Sequence, residues 1–305
     1  MERIHITDVA PRDGLQNQPT FVATEHKLAL VERLAAAGVA SVEVTSFVSP
    51  KAVPQMADAA ELLPRVQASL PALRASVLVP NLKGLERAHA AGAREIAVVL
   101  SATETMNRRN INMGLAEATD ISEQTLRAAQ ALGLRTRAYV AVAFDCPFEG
   151  ETPLDTVVAL AARMAEAGAG EIVIADTIGA ASPQAVKVRM AALTAAIAAD
   201  RLAVHFHDTR GMGAANAWAA LEAGIRRFDA SVGGIGGCPF APGAAGNLAT
   251  EDLVLLAERS GFSSGIDLDR LLDAVDFAQD VLQRPLGGRS IAWLRRQRDK
   301  QQAAA

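Results

Sequence analysis

One short phrase recurs four times along this chain: AAGVASVEV at 36–44, AAGAREIAV at 90–98, EAGAGEIVI at 166–174 and EAGIRRFDA at 222–230. Each reads as the last turn of a helix, a glycine that ends it, and the first residues of a strand. A chain that returns from helix to strand in this way builds parallel strands, since each is reached from the last through a crossover. Eight apolar stretches have strand character: Arg3 to Val9, Ser41 to Thr45, Arg74 to Val79, Glu95 to Leu100, Arg135 to Val142, Glu171 to Ala175, Leu202 to His207 and Arg227 to Val232. Between them, segments such as Thr24 to Ala37, Leu154 to Ala167 and Pro183 to Ala198 space apolar residues by three and four, the helical period. Thr24 is expected to cap the first of these and Gly38 to end it.

Eight such units close into an α/β fold of the (β/α)8 barrel type more readily than they spread into an open sheet. An open sheet would be expected to carry a glycine fingerprint after its first strand, where this chain reads DVAPRDGLQN. Asn247 to Ser260 supplies the eighth helix, and Asp267 to Arg284 and Ser290 to Lys300 read as extra C-terminal helices. The expectation is a single domain over 1–305, with the barrel at 3–260 and the added helices at 267–300. Half the residues are hydrophobic but only 4% are aromatic, so Ala, Val, Leu and Ile must form the core, as in sheets covered by helices.

The net charge of −4, with basic residues gathered only in the terminal WLRRQRDK, offers no footprint for nucleic acid. No run of apolar residues is long enough for a membrane span. Two cysteines and no leader-like start point to the cytoplasm. Cys146 reads as a small packed residue.

In such a barrel the reactive end is the one where the strands finish. The polar residues that fall there are Asp8, Arg12, Asp13 and Gln16 after strand one, Glu43 and Ser46 on strand two, and Ser101 and Asn110 after strand four. Strand five carries Tyr139, strand six ends at Asp176 and Thr177, and strand seven holds His205 and His207. Alternate strand residues face the same way about 7 Å apart, so the two imidazoles can reach one ion. The next loop, SVGGIGGCPFAPGAAGN, is too rich in Gly and Pro for a helix or a central strand, and brings Cys238 and Asn247 to the same end. One Asp, two His and an amide oxygen suit Mg2+ or Mn2+ before Zn2+. Gln16, Ser46, Asp176 and Thr177 are candidate substrate contacts, and Tyr139 either contacts a substrate hydroxyl or fills the barrel. Arg210, three residues past His207, would grip a substrate carboxylate if turned inward and would be a solvated helix-start residue if turned outward. His5, His26 and His89 receive no role.

PRDGLQNQ at 11–18, EVTSFVSPKAVPQMAD at 43–58, NIN at 110–112, ADTIG at 175–179, HFHDT at 205–209 and SVGGIGGCPFAPGAAGNLATED at 231–252 together resemble the 3-hydroxy-3-methylglutaryl-CoA lyases. The resemblance runs from residue 4 to about 282, and the GGCP loop separates these lyases from the related isopropylmalate synthases. It implies a barrel enzyme that splits a 3-hydroxyacyl-CoA thioester into acetyl-CoA and a keto acid with the help of Mg2+ or Mn2+. On matching positions it implies Asp13, His205, His207 and Asn247 as metal ligands and Arg12 as the group facing the thioester carbonyl. It further implies Cys238 as catalytic thiol, Glu43 as an acidic active-site residue, and Glu251 as a support behind the ligands, with a homodimer formed through the C-terminal helices. Asp8 stands where these lyases commonly have Glu, and Arg210 and Met212 where they carry an aromatic residue and a glutamine. Those departures touch the acyl group more than the reaction, so citramalyl-CoA is the alternative substrate. A synthase and an acyl-CoA-binding barrel without turnover are the more distant rivals.

Overall fold

The computed structural model of the chain, described for residues 1–237 and 246–304, closes eight parallel strands into one barrel in sequence order. These are β1 (His5–Asp8), β2 (Ser41–Ser46), β3 (Arg74–Leu78), β4 (Glu95–Ser101), β5 (Arg135–Ala141), β6 (Glu171–Asp176), β7 (Leu202–Phe206) and β8 (Arg227–Ala230). The helices are α1 (Thr24–Ala36), α2 (Ala59–Ser69), α3 (Leu82–Ala90), α4 (Glu104–Ile111), α5 (Leu115–Ala131), α6 (Leu154–Glu166), α7 (Pro183–Ala196), α8 (Gly213–Glu222), α9 (Thr250–Arg259), α10 (Leu268–Leu282) and α11 (Ile291–Ala304). The expected strand from Arg3 shortens because Glu2–Arg3 instead pairs with Phe262–Ser263 beneath the barrel. Among the described residues no helix is long and apolar enough to cross a membrane.

The repeated phrase does what its composition demands. Gly38, Gly92, Gly168 and Gly224 all take positive φ, between +85° and +104°. The residue after each glycine donates its N–H back into the last helical turn, as Val39 does to Leu34 at 3.0 Å, which closes the helix and aims the chain into the next strand. Gly133 between α5 and β5 is a fifth copy, with φ +71°. Thr24 does not cap α1: the capping position falls on Ala23, and the Thr24 hydroxyl donates to Asp58 at 2.9 Å.

Most of the apolar core lies between the barrel and its helices, where Leu34, Val42, Leu62, Val77, Ile96 and Val204 are fully buried. Each such side chain stabilises the fold by roughly 1.5–3 kcal/mol. Inside the barrel the apolar layer is small, Ala97, Tyr139, Val173 and Ala203. The register sets Arg137 beside Glu171 and His205 beside Asp229 on neighbouring strands, and these side chains point into the barrel rather than out to the helices. The C-terminal helices cover α1: Arg33 lies 3.9 Å from the Phe277 ring, Asp267 N–H donates to Ala37, and α11 pairs with α10 through Arg298 and Asp273.

Candidate metal centre

At the carboxyl end of β1 the buried Asp8 ties two strands together. Its Oδ1 accepts Ala10 N–H at 2.9 Å, while Oδ2 accepts Val232 N–H at 2.9 Å and the Thr250 hydroxyl at 2.7 Å. Burial pushes its carboxyl up to about 6. The chain then makes one wide turn over Ala10–Gly14, with Gly14 N–H reaching back to Val9 at 3.3 Å. Single turns of this width are frequent at functional sites, and this one presents Arg12 and Asp13.

Arg12 is almost enclosed. Its Nε and Nη2 both lie 2.6 Å from Glu43 Oε2, and its Nη1 donates to Asp13 Oδ1 at 2.8 Å. Glu43 Oε1 is buried without a partner, and burial, outweighing Arg12, pushes that carboxyl above its ordinary range. Burial alone would also raise Asp13, but Arg12 and the two imidazoles hold it below the usual value.

His205 and His207 face each other through Nε2 at 3.1 Å. Asp13, His205 and His207 bring one ligand atom each within 4.8 Å of one another. Asn247 is held beside His207 by an antiparallel bridge flanked by Leu248 N–H to Phe206 at 2.9 Å. Its Nδ2 donates to Asp13 Oδ2 at 2.8 Å and to Ile235 O at 3.1 Å, which leaves Oδ1 buried and unpartnered. A buried acceptor with nothing to accept is costly. Two ring nitrogens at 3.1 Å suit neighbouring ligands of an octahedral ion, since bonds of about 2.1 Å at right angles span about 3.0 Å. The donor set, one carboxylate, two imidazoles and an amide oxygen, fits a divalent cation.

Behind His205, Asp229 places Oδ2 3.5 Å from Nδ1. That separation lies outside a good hydrogen bond, and Nδ1 otherwise has no partner, yet the pair is oriented so that Nε2 faces the cluster. Burial lowers both imidazoles. In His205 the neighbouring Asp229 and Asp13 outweigh it and raise the pKa, whereas His207 falls to about 3 and stays neutral. Asp229 also accepts Arg137 Nη2 and the Tyr139 hydroxyl, each at 2.6 Å, and Arg137 Nε reaches Glu171 at 2.6 Å. The sequence reading missed Asp229 and Arg137. Their only signal was a charge at an inward position of an otherwise apolar strand.

The remaining sequence candidates fall in several places. Gln16 Nε2 donates to Asp13 Oδ1 at 3.2 Å, so Gln16 stands at the cluster. Ser46 is buried at the end of β2, its Oγ 3.4 Å from Val48 N. Tyr139 is 4% exposed with its hydroxyl committed to Asp229 and Arg137, which favours the barrel-filling alternative over a substrate contact. Both Asp176 oxygens accept backbone N–H groups, from Ala180 at 2.8 Å and Ala181 at 3.1 Å, so this carboxylate closes its own turn. The Thr177 hydroxyl accepts Val142 N–H at 2.7 Å and props Val142 at φ +48°, a strained position for a β-branched residue. Arg210 is exposed just ahead of α8, as the outward alternative expects, and its Nη1 also donates to the carbonyls of Ile178 and Gly179 at 3.2 and 2.9 Å. Glu251 accepts Gly233 N–H at 3.1 Å and Gly288 N–H at 2.8 Å, binding the base of the glycine loop to the C-terminal segment. Cys238 lies outside the described residues.

The HMGL-like family model matches residues 3–278. Hydroxymethylglutaryl-CoA lyase YngG of Bacillus subtilis is 41% identical over 290 residues, covering 95% of this chain and 97% of its own. The mitochondrial hydroxymethylglutaryl-CoA lyase of Homo sapiens is 42% identical over 283 residues, covering 93% of this chain and 87% of its own. Among solved structures, the HMG-CoA lyase of Brucella melitensis superposes with a TM-score of 0.89 at 44% identity, over 93% of this chain and 100% of that one. An HMG-CoA lyase from Acinetobacter baumannii, solved in complex with coenzyme A and 3-methylmalate, gives 0.90 at 39% identity over 94% of each chain. The carboxyl transferase domain of Rhizobium etli pyruvate carboxylase shares the fold at 21% identity, with a TM-score of 0.72. With the barrel and nearly the whole length of these lyases in common, the chain belongs to the HMGL-like family of lyases.

Proposed function

We propose that the chain cleaves 3-hydroxy-3-methylglutaryl-CoA to acetyl-CoA and acetoacetate by a metal-assisted retro-Claisen reaction. The observation that supports this most is the convergence of Asp13, His205 and His207 beside the unpartnered Asn247 Oδ1, one residue away from the Arg12 guanidinium. Those four residues would hold a divalent ion, Mg2+ or Mn2+, which would supply Lewis acidity toward the substrate's oxygens.

The chain's own groups then divide the work. Asp13 or His205, at the point where the hydroxyl binds, takes the hydroxyl proton. The C2–C3 bond breaks, its electrons pass to the thioester as an enolate, and C3 becomes the ketone of acetoacetate. Arg12, fixed by Glu43 and Asp13, keeps its charge at any physiological pH and faces the enolate oxygen. Glu43 holds the guanidinium fork in that orientation. Cys238, on the glycine loop, donates the proton that turns the enolate carbon into the methyl of acetyl-CoA. Gln16 and Ser46 stand by as substrate contacts. A relative solved with coenzyme A supports an acyl-CoA ligand. A cytoplasmic location and a homodimer belong to the same proposal.

Citramalyl-CoA, which would give acetyl-CoA and pyruvate by the same step, has less support, because Arg210 is exposed and its Nη1 donates to backbone carbonyls. A panel of 3-hydroxyacyl-CoA thioesters assayed with Mg2+ or Mn2+ on wild type and Arg210→Tyr separates the two. 3-Hydroxy-3-methylglutaryl-CoA is expected to have the highest kcat/KM. A tenfold preference for citramalyl-CoA that Arg210→Tyr reverses by about 1.4 kcal/mol would replace this reading. Turnover of no member would favour a synthase or a binding protein.

A further inference from the structure

The opposite end of the barrel, where the strands begin, contains a hollow of about 100 Å3 that the proposed reaction does not use. Its charged and imidazole lining comes from Arg3, His5, Arg74, Glu171 and Arg227. Three guanidiniums thus meet a single carboxylate, and that carboxylate is already taken. Glu171 Oε1 accepts Arg137 Nε from inside the barrel at 2.6 Å, and Oε2 lies 3.3 Å from Arg227 Nη1 and 3.7 Å from Arg74 Nη1. Arg74 turns its other nitrogens to Glu95, outside the hollow. The Arg3 guanidinium has no hydrogen-bond or ion-pair partner among the described residues, and its Nη2 sits so close to Gly265 that a side chain there would come within 3.2 Å of it. The Arg74 and Arg227 side chains are 30% and 29% exposed, so the hollow is open to solvent.

Like charges gathered in a hollow repel unless something neutralises them, and with Arg74 paired to Glu95 and Arg227 to Glu171 the three guanidiniums keep an excess of one positive charge, that of Arg3. The effect reaches His5, whose pKa is lowered by burial first and then by Arg227, Arg3 and Arg74. The centre of the barrel above is filled by Arg137, Tyr139 and Asp229, which separates this mouth from the Asp13–His205–His207 cluster. Forked guanidinium donors match the oxygens of phosphate and sulfate.

We infer that the amino-terminal mouth of the barrel is a binding site for a small oxyanion such as inorganic phosphate or sulfate, held by Arg3, Arg74 and Arg227. The site is independent of the lyase reading. Its one unpaired guanidinium, Arg3, is the charge an oxyanion would neutralise, and the hollow of about 100 Å3 is of the scale of a single phosphoryl group. The source is free oxyanion or the phosphate end of a small metabolite.

The test uses metal-loaded full-length protein with 13C-labelled histidine rings, in which the His5 signal is identified by its loss in His5→Gln. Inorganic phosphate, sulfate and glycerol 3-phosphate are titrated at constant ionic strength. The His5 resonance is expected to shift with saturation at millimolar phosphate or below, and equal ionic strength of sodium chloride is expected to leave it in place. Saturation by glycerol 3-phosphate as well identifies a phosphoryl end as an acceptable ligand, while saturation by phosphate and sulfate alone restricts the site to free oxyanion. Arg3→Gln, which removes no existing ion pair, is expected to weaken binding at least fivefold. No saturable shift, an equal shift with chloride, or unchanged affinity in both Arg3→Gln and Arg227→Gln would overturn the inference.

Discussion

Replacing Asp229 by Asn removes one negative charge from beneath His205 while keeping the side-chain shape. In the native chain Asp229 accepts Arg137 Nη2 and the Tyr139 hydroxyl at 2.6 Å and faces His205 Nδ1 at 3.5 Å, all with side chains almost wholly buried. Burial alone would raise its carboxyl, but Arg137 and His205 hold it well below the usual carboxylate range. Neutralising it leaves the Arg137 guanidinium, 1% exposed, with Glu171 as its one remaining carboxylate. Taking one partner from a buried ion pair costs about 3–5 kcal/mol. At about 2.1 cal/mol/K per residue, 305 residues give an unfolding entropy of about 0.64 kcal/mol/K, so Tm should fall by about 5–8 °C. The same change removes the carboxylate beside His205, the proposed metal ligand, and losing such a support is usually worth 10–100-fold in affinity. Calorimetric unfolding of the apo and Mn2+-loaded variant, together with a Mn2+ titration, measures both effects. Tyr139→Phe, which strands no charge, should cost less on both scales. If Asp229→Asn keeps metal affinity within about twofold and Tm within about 1 °C, the support assigned to Asp229 is wrong.

Two further perturbations follow from the same site. Burial raises the Glu251 carboxyl from 4.5 to about 7, so the folded chain holds this proton more tightly than the unfolded chain. Its contribution is therefore full below pH ~4.5 and lost as pH rises through ~7, and wild type should lose on the order of 3 kcal/mol relative to Glu251→Gln across that window in denaturant titrations; a flat difference would contradict it. Cys238→Ala should lower kcat by at least ~10² with metal affinity little changed, whereas retention of more than about a third of the rate would make the thiol structural.

The barrel was legible because its signals are local. A helix end, a glycine and an apolar strand start lie within nine residues, and the helix-ending glycines Gly38, Gly92, Gly168 and Gly224 all adopt the positive φ that the phrase requires. The ligand cluster was legible for a similar reason, since His205 and His207 are two apart on one strand and Asp13 and Asn247 fall in neighbouring loops at its end. What sequence could not weigh is competition for a polar group's partners. Asp176 and Thr177 have the chemistry of substrate contacts, but the nearest donors to them are backbone N–H groups made by their own fold. Arg210 likewise meets two carbonyls on the loop after β6, more than thirty residues away in sequence. The reverse holds for Asp229, a lone acid in RRFDA whose importance comes from Arg137, 92 residues distant.

The central claim is that a divalent ion held by Asp13, His205, His207 and Asn247 is required for carbon–carbon cleavage. It is tested most directly by incubating 3-hydroxy-3-methylglutaryl-CoA with enzyme stripped by EDTA, and with the same enzyme after Mg2+ or Mn2+ is restored, while acetyl-CoA and acetoacetate are quantified. The account predicts no product from stripped enzyme and equal amounts of the two products on restoration. Full turnover by metal-free enzyme, or no cleavage once either ion is restored, would contradict it.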